Sequence, residues 1–119
     1  MTHNALFIGW GMPARGRETQ ATKVFGEWAE MLGTWKSKGK IESFTPVFLT
    51  PRGGELRGFF LVTGEPAKLT ELYQGDEMRR AITRADIVVD DIGVAMAMTG
   101  DEIGKQMALW NASLSDLAK

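Results

Sequence analysis

The chain has 119 residues, 44% of them hydrophobic and 24% charged, which is the composition of an ordinary globular domain. Fourteen Lys and Arg against fifteen Asp and Glu leave a net charge of -1, so no overall field would draw the protein to nucleic acid or to an anionic membrane. Without Cys, and with His3 as its single His, the chain excludes thiolate chemistry and a site of several imidazoles. We therefore expect one domain over residues 1–119 with neither metal nor cofactor.

The opening residues lack the basic and then apolar pattern of a signal peptide, and no apolar run is long enough to cross a membrane. We therefore expect a cytoplasmic location and no membrane partner.

The first two elements follow from a change in hydrophobic spacing. Residues 4–11 form a short apolar run that ends in glycines, which favours a buried strand. After a loop, apolar residues recur at helical spacing from about Glu18 to Lys38, and Gly39 stands where a left-handed cap residue is expected. The apolar stripe of this helix comprises Ala21, Val24, Phe25, Trp28, Met31, Leu32 and Trp35.

Two further strand-like runs, residues 41–50 and 55–63, are joined by a turn over residues 51–54 that contains Pro and two Gly residues. Such a turn is typical of a β-hairpin. Pro46 has no N–H to donate to a neighbouring strand, which predicts that the first of these strands lies at a sheet edge.

The last part of the chain predicts helix, strand and helix. Residues 65–84 have loosely helical spacing that Gly75 weakens, so we expect a broken or kinked helix. Residues 87–98 predict a fourth strand with an irregularity at Asp90 and Asp91. An N-cap pattern at residues 99–102 predicts a C-terminal helix, whose apolar positions are Ile103, Met107, Trp110 and Leu114.

This order predicts an α+β protein of the ferredoxin-like βαββαβ class, with a four-stranded antiparallel sheet, two helices on one face and an extra C-terminal helix. The strands are apolar on both faces, whereas a solvated face would be polar. We therefore expect a second copy of the chain, the C-terminal helix, or both to cover the face opposite the two helices.

The element order, the apolar open face and the hairpin end GGELRGFFLV (residues 53–62) resemble the dimeric α/β-barrel superfamily, loosely its YCII-related and small monooxygenase branches. The resemblance spans nearly the whole chain and rests on layout. It implies a homodimer in which two sheets pack together, with a ligand or reaction pocket between sheet and helices. It also associates a His and Asp pair with YCII-related members, and a His with Asn and Trp with haem-degrading members.

Residues 6–9 (LFIG) and 57–59 (RGF) are similar to parts of the two motifs with which RNA recognition motifs stack bases. Leu61 and Gly64 stand where further aromatic residues would be needed, and the isoelectric point of about 5.8 opposes phosphate binding. We therefore expect no nucleic-acid partner. The likeness still suggests which side chains face the open side, namely Phe7, Arg57, Phe59 and Leu61, with Leu6, Ile8, Phe60 and Val62 under the helices.

Asp90 and Asp91 interrupt an apolar strand, and adjacent strand residues point to opposite faces, so we expect one carboxylate to face the interior. A buried carboxylate has a raised pKa and can serve as a general base. Arg57 could pair with it or orient an anionic substrate. We therefore name Asp91 and Arg57 as candidate catalytic residues; the alternatives are a strand break that exposes both Asp residues and an arginine at a rim or dimer contact.

Trp10, at a strand end beside two glycines, is predicted at a pocket mouth, and Phe7, Phe59 and Leu61 complete the candidate ligand pocket. Two functions remain open: a homodimer that binds a small apolar molecule, cofactor-independent if it is catalytic, and a non-catalytic dimer in which the same residues form only an interface. A cavity of some hundreds of Å³ with Asp91 or Arg57 in its wall would favour the first.

Overall fold

A computed structural model describes residues 2–118 and has four strands and four helices in the order βαββααβα. Apolar residues recur at a helical period in some segments and in short continuous or alternating runs in others, and these changes of period divide the chain into its elements. Their bounds are β1 (Ala5–Trp10), α1 (Glu18–Ser37), β2 (Ser43–Phe48), β3 (Gly58–Thr63), α2 (Pro66–Gln74), α3 (Asp76–Val88), β4 (Gly93–Ala97) and α4 (Asp101–Leu117).

The four strands form one antiparallel sheet in the order β2-β3-β1-β4. β1 is central, with Ile8 opposite Phe60 of β3 and opposite Val94 of β4. β2 lies at an edge, as Pro46 predicts. The predicted fourth-strand start at residue 87 is wrong, because β4 begins only at Gly93.

Helices α1, α2 and α3 cover one face of the sheet, and the hydrophobic core lies between them and the strands. The sheet contributes Leu6, Ile8, Phe60 and Val62, each 0–1% exposed, which confirms their predicted position under the helices. The helices contribute Ala21, Val24, Trp28, Leu32, Trp35, Leu69, Met78, Ala85 and Val88. Trp28 and Trp35 are therefore part of the core stripe of α1.

The predicted second helix is broken at Gly75, whose extended backbone (φ -79, ψ 163) separates α2 from α3. α3 continues to Val88, beyond the predicted end. Its last turn contains β-branched residues that favour strands, but Ala85 and Val88 are buried against the core at helical spacing. Packing of this turn thus outweighs the local preference, and it displaces the start of β4.

α4 extends from the sheet without burying any of its residues. Its apolar side chains are about half exposed or more, among them Ile103 at 49%, Met107 at 52% and Trp110 at 59%. The helix therefore leaves an apolar stripe without a partner in the described part of the chain. Within residues 2–118, no helix combines the length and the apolar character needed to cross a membrane.

Candidate functional site

A cavity of about 650 Å³ lies between the sheet and the first half of α1. The sheet contributes Ile8, Trp10 and Phe60 to its wall, and α1 contributes Phe25 and Trp28 among others. Phe48 of β2, Arg57 before β3 and Ala85 of α3 also line the cavity. Loops that follow β1 and β2, together with the turn before β4, supply the rest of the wall: Gly11, Met12, Pro13, Leu49, Pro51, Val89 and Ile92.

Four aromatic side chains form a continuous cluster along this wall. The rings of Phe25 and Phe60 stack at 5.3 Å with an interplanar angle of 16°. Trp10 contacts both, with centroids 5.7 Å from Phe25 and 5.2 Å from Phe60. Phe48 joins from β2 at 5.4 Å from Phe25, although its side chain is 71% exposed. Aromatic pairs at such distances are attractive, so the wall is a preformed apolar surface.

Gly58 leaves room for the Trp10 indole to lie close to the end of β3. The two residues are directly opposite in the β1–β3 register. A Cβ atom at position 58 would lie 2.7 Å from Cζ2 of Trp10 and 2.7 Å from the carbonyl oxygen of Val47. The glycine is therefore required by packing beside Trp10, which lines the cavity.

The loop after β1 is fixed to the turn before β4 by three backbone hydrogen bonds. Gly11 N–H donates to Asp90 O at 2.8 Å, Asp90 N–H donates to Met12 O at 2.8 Å, and Ala14 N–H donates to Val88 O at 2.8 Å. Pro13 and Val89 form a β-bridge in the same stretch. Because these bonds hold Met12, Pro13 and Val89 in place, this side of the cavity is built from ordered backbone.

Arg57 enters the cavity wall through a β-bulge. Trp10 is opposite Gly58 in the register, and its carbonyl oxygen also accepts a hydrogen bond from Arg57 N–H at 2.8 Å. Two residues thus oppose one, which interrupts the alternation of side chains between the faces. Leu56 accordingly lies on the open face, where its Cδ1 would be 2.9 Å from a Cβ at Gly9.

The expectation that Arg57 shares the open face with Phe59 is therefore wrong. Simple alternation counted back from Phe59 misses the bulge, and Arg57 lines the cavity on the helix side. Its Nε atom is buried and has no hydrogen-bond partner within residues 2–118.

Trp28 is a second donor in the cavity wall. The residue is 4% exposed, and its Nε1 atom is buried without a hydrogen-bond partner in the described chain. Trp35, two turns later on the same helix, differs because its Nε1 donates to Glu77 Oε1 at 3.1 Å. Trp28 and Arg57 therefore each have one buried N–H group that is unpaired in the described chain. A buried N–H group without a partner lowers the stability of the folded state.

Asp90 and Asp91 lie in the turn between α3 and β4, and both are exposed. The expectation that one of them faces a low-dielectric interior is wrong, since the residues fall outside the strand. Asp91 has a left-handed backbone with φ 56. Its Oδ2 atom would lie 3.3 Å from a Cβ at Gly11, so its carboxylate is beside a cavity-lining residue without lining the cavity itself. The ion pairs of the described chain do not include Asp91 with Arg57.

Phe7, Phe59 and Leu61 lie on the opposite face of the sheet from the cavity. Phe7 and Leu61 are directly opposite in the register, and the rings of Phe7 and Phe59 are 5.2 Å apart. All three side chains are half-buried. The structure thus brings Trp10 and Arg57 together in one cavity and places these three residues on a separate apolar surface.

Sequence reasoning missed Phe25, Phe48 and Trp28 as wall residues, because a helical apolar stripe has the same spacing whether it fills a core or lines a space. The even-numbered apolar residues of β2 could have found Phe48, since Phe44 and Phe48 share the helix side with Phe60. The residues that the structure describes contain no group of three or more His, Asp or Glu placed to hold a metal ion.

Known proteins resemble this chain in fold. A solved structure from Bacteroides fragilis NCTC 9343, described as a dimeric protein of unknown function and ferredoxin-like fold, matches with a TM-score of 0.53 and 8% sequence identity. The match covers 76% of this chain and 91% of the other. The fold is ferredoxin-like. No family model and no curated protein matches the chain, so this likeness shows the fold alone.

Proposed function

We propose that this chain is a homodimer that binds a small apolar molecule in the cavity between the sheet and α1, with no bound cofactor if it also catalyses a reaction. The observation that carries the proposal is the aromatic-walled cavity itself. Its volume of about 650 Å³ falls within the range of roughly 300 to 1,000 Å³ typical of small-molecule sites.

The chemistry of the wall also supports a ligand. Small-molecule sites are mainly apolar with a few placed polar groups, and here Trp10, Phe25 and Phe60 surround the space while Arg57 and Trp28 supply donors. Burying these aromatic surfaces against a ligand would remove apolar area from water, which is favourable.

Two threonines of α1 provide a matched test of this proposal. Thr22 is exposed and lines the cavity, whereas Thr34 is exposed on the same helix and does not. We expect Thr22→Phe to fill part of the cavity without disturbing the core, and Thr34→Phe to serve as its control. In a thermal-shift screen with small apolar molecules, ligands should raise the melting temperature of wild type and Thr34→Phe but not of Thr22→Phe.

A screen in which no molecule stabilises wild type, or in which Thr22→Phe responds like wild type, would contradict the cavity as a binding site. The protein would then fit the alternative of a non-catalytic dimer whose residues only form an interface.

Two apolar surfaces without partners support the homodimer. The open sheet face carries Phe7, Phe59 and Leu61, and α4 carries an exposed stripe that includes Met107 and Trp110. Exposed apolar patches of this kind mark interaction sites, and a second copy supplies both surfaces at once. The structural neighbour from Bacteroides fragilis is itself described as dimeric. This assembly also agrees with the resemblance to the dimeric α/β-barrel superfamily.

Light scattering on the purified protein tests the assembly. We expect a species of twice the 13.1 kDa chain mass. Phe59→Ala should weaken the dimer, because truncating a central apolar interface residue commonly costs binding energy. Phe60→Ala, on the other side of the same strand, should lower stability instead. A monodisperse 13.1 kDa wild type at micromolar concentration would overturn the dimer.

Catalysis by Asp91 and Arg57 stays a prediction within this proposal. Asp91 lies beside Gly11, which lines the cavity, without lining the cavity itself, so it could exchange a proton only with a part of the ligand that lies next to Gly11. Asp91→Asn should leave binding intact and abolish turnover of any ligand that the screen shows to be a substrate. Unchanged turnover would remove Asp91 from the mechanism.

A further inference from the structure

We infer that the ligand of this cavity is an apolar carboxylic acid whose carboxylate pairs with the Arg57 guanidinium. The inference rests on the proposed function and names its ligand class. Arg57 is the single charged residue in the described cavity wall, and the remaining wall is mostly apolar.

The protein leaves this charge without a partner. The ion pairs of residues 2–118 join Lys68 to Glu65, Arg84 to Glu27, and Lys105 to Glu102, and none involves Arg57. A guanidinium stays protonated in proteins, so it cannot escape the cost of partial burial by losing its proton. Nε is buried and unpaired in the described chain, whereas the residue as a whole is only half-buried, so an anion that meets the accessible part of the guanidinium is the group that would balance its charge.

The shape of the guanidinium specifies how that anion binds. Neighbouring N–H groups of a guanidinium form a planar two-donor fork that matches the two oxygens of a carboxylate or of a phosphate. We favour the carboxylate, because one unopposed positive charge balances a monoanion. The wall supplies neither a second cation for a phosphate dianion nor a glycine-rich helix N-terminus.

The bulge places the backbone of Arg57 beside that of Trp10, a member of the aromatic cluster. Arg57 donates its backbone N–H to the carbonyl oxygen of Trp10, and the Trp10 ring lies 5.2 Å from Phe60. A ligand in the cavity therefore meets one charged residue and several aromatic rings in the same wall. Trp28 lines the same wall, and its Nε1 is also buried without a partner in the described chain.

The test compares acids with their uncharged amides. Benzoate, 2-naphthoate and octanoate, each with the corresponding amide, are titrated by calorimetry into wild type, Arg57→Gln, Arg57→Lys and Arg52→Gln. Arg52 is the matched control, because it lies in the same hairpin loop but is exposed and hydrogen-bonds only to Gly53 O in the described chain. The aromatic and aliphatic members distinguish a flat acid from a fatty acid.

Wild type should bind at least one acid roughly tenfold or more tightly than its amide, as expected for a charge-assisted pair. Arg57→Gln should abolish this preference while leaving the affinity for the amide nearly unchanged. Arg57→Lys should retain part of the preference, since it keeps the charge but not the fork. Arg52→Gln should behave as wild type.

If no acid binds wild type more tightly than its amide, or if Arg57→Gln keeps the preference, the carboxylate inference is overturned. Ligands that bind wild type but not Thr22→Phe would still uphold the proposed function in that case. If neither acids nor neutral molecules bind in a Thr22-dependent way, both fail.

Discussion

The two ends of the layer between sheet and helices differ in how they are packed. The filled end, formed by Leu32, Trp35, Leu69 and Met78, has every side chain at 0–1% exposure. The cavity end, formed by Trp10, Phe25 and Phe48, has large aromatic residues that surround a space. α2 contributes Leu69 to the filled end but no residue to the described cavity wall. The fold thus closes its core with α2 at one end of this layer and leaves the other end available for a ligand.

The largest effect that this comparison predicts is on stability. Leu69→Ala at the filled end should cost about 2–5 kcal/mol, because a rigid, fully packed site cannot collapse around the lost methyl groups. Phe48→Ala at the cavity end should cost less than about 1 kcal/mol, because the side chain is already 71% exposed. Urea denaturation of both variants measures the difference. Similar losses would mean that the two ends are equally well packed.

A smaller effect is expected at the turn that closes the cavity end, where Asp91 has φ 56. Asp and Asn tolerate this conformation better than other residues with a side chain. Asp91→Ala should therefore lower stability by about 1 kcal/mol, whereas Asp91→Asn and Asp91→Gly should change it little. If Asp91→Asn and Asp91→Ala are equally destabilising in the same denaturation experiment, Asp91 stabilises the protein through its carboxylate and not through its tolerance of the left-handed backbone.

The smallest effect concerns the ion pair between α1 and α3. The Arg84 guanidinium donates two hydrogen bonds to Glu27, at 2.7 and 2.8 Å, and these lower the pKa of Glu27 below its ordinary value of 4.5. A carboxyl group with a lowered pKa in the folded state stabilises the protein above its unfolded pKa, and this contribution is lost as the pH falls through the folded pKa.

Arg84→Met should therefore raise the pKa of Glu27 and make the variant less sensitive than wild type to acidification below about pH 4.5. Both partners are about 40% exposed (41% and 39%), so solvent screening keeps the effect small. An NMR titration of the Glu27 carboxyl carbon measures it, with Arg79→Met on the same helix as the control. A Glu27 pKa unchanged by Arg84→Met would contradict the pairing.

Most of the fold could be predicted from the sequence, because single residues mark where most of its helices and strands begin, end or lie in the sheet. Gly75 marks the helix break, Pro46 marks the edge strand, and Gly39 takes the expected positive φ of 73. The exception is the end of α3. There Val88 is held in a helix by burial in the core, which depends on contacts distant in sequence that a local pattern does not contain.

The candidate site was less predictable, because the positions of its side chains also depend on contacts that are distant in sequence. The strand-end position of Trp10 predicts a pocket mouth, whereas the location of Arg57 depends on a bulge opposite Trp10 that a simple alternation rule cannot show. In the sequence, Asp91 is a carboxylate within an apolar run that predicts a strand, whereas the structure places that run partly in a helix and a turn. Trp28 looks like any core residue in sequence, and only its unpaired Nε1 distinguishes it.

Pro46 has a further consequence for how copies of the chain can associate. Leu49 N–H donates inward to Arg57 O, and because donors alternate along an antiparallel strand, position 46 is one of those directed outward. Proline has no hydrogen there, so a strand approaching the outer edge of β2 meets an interrupted row of donors. Growth of the sheet into fibres through this edge is thereby disfavoured.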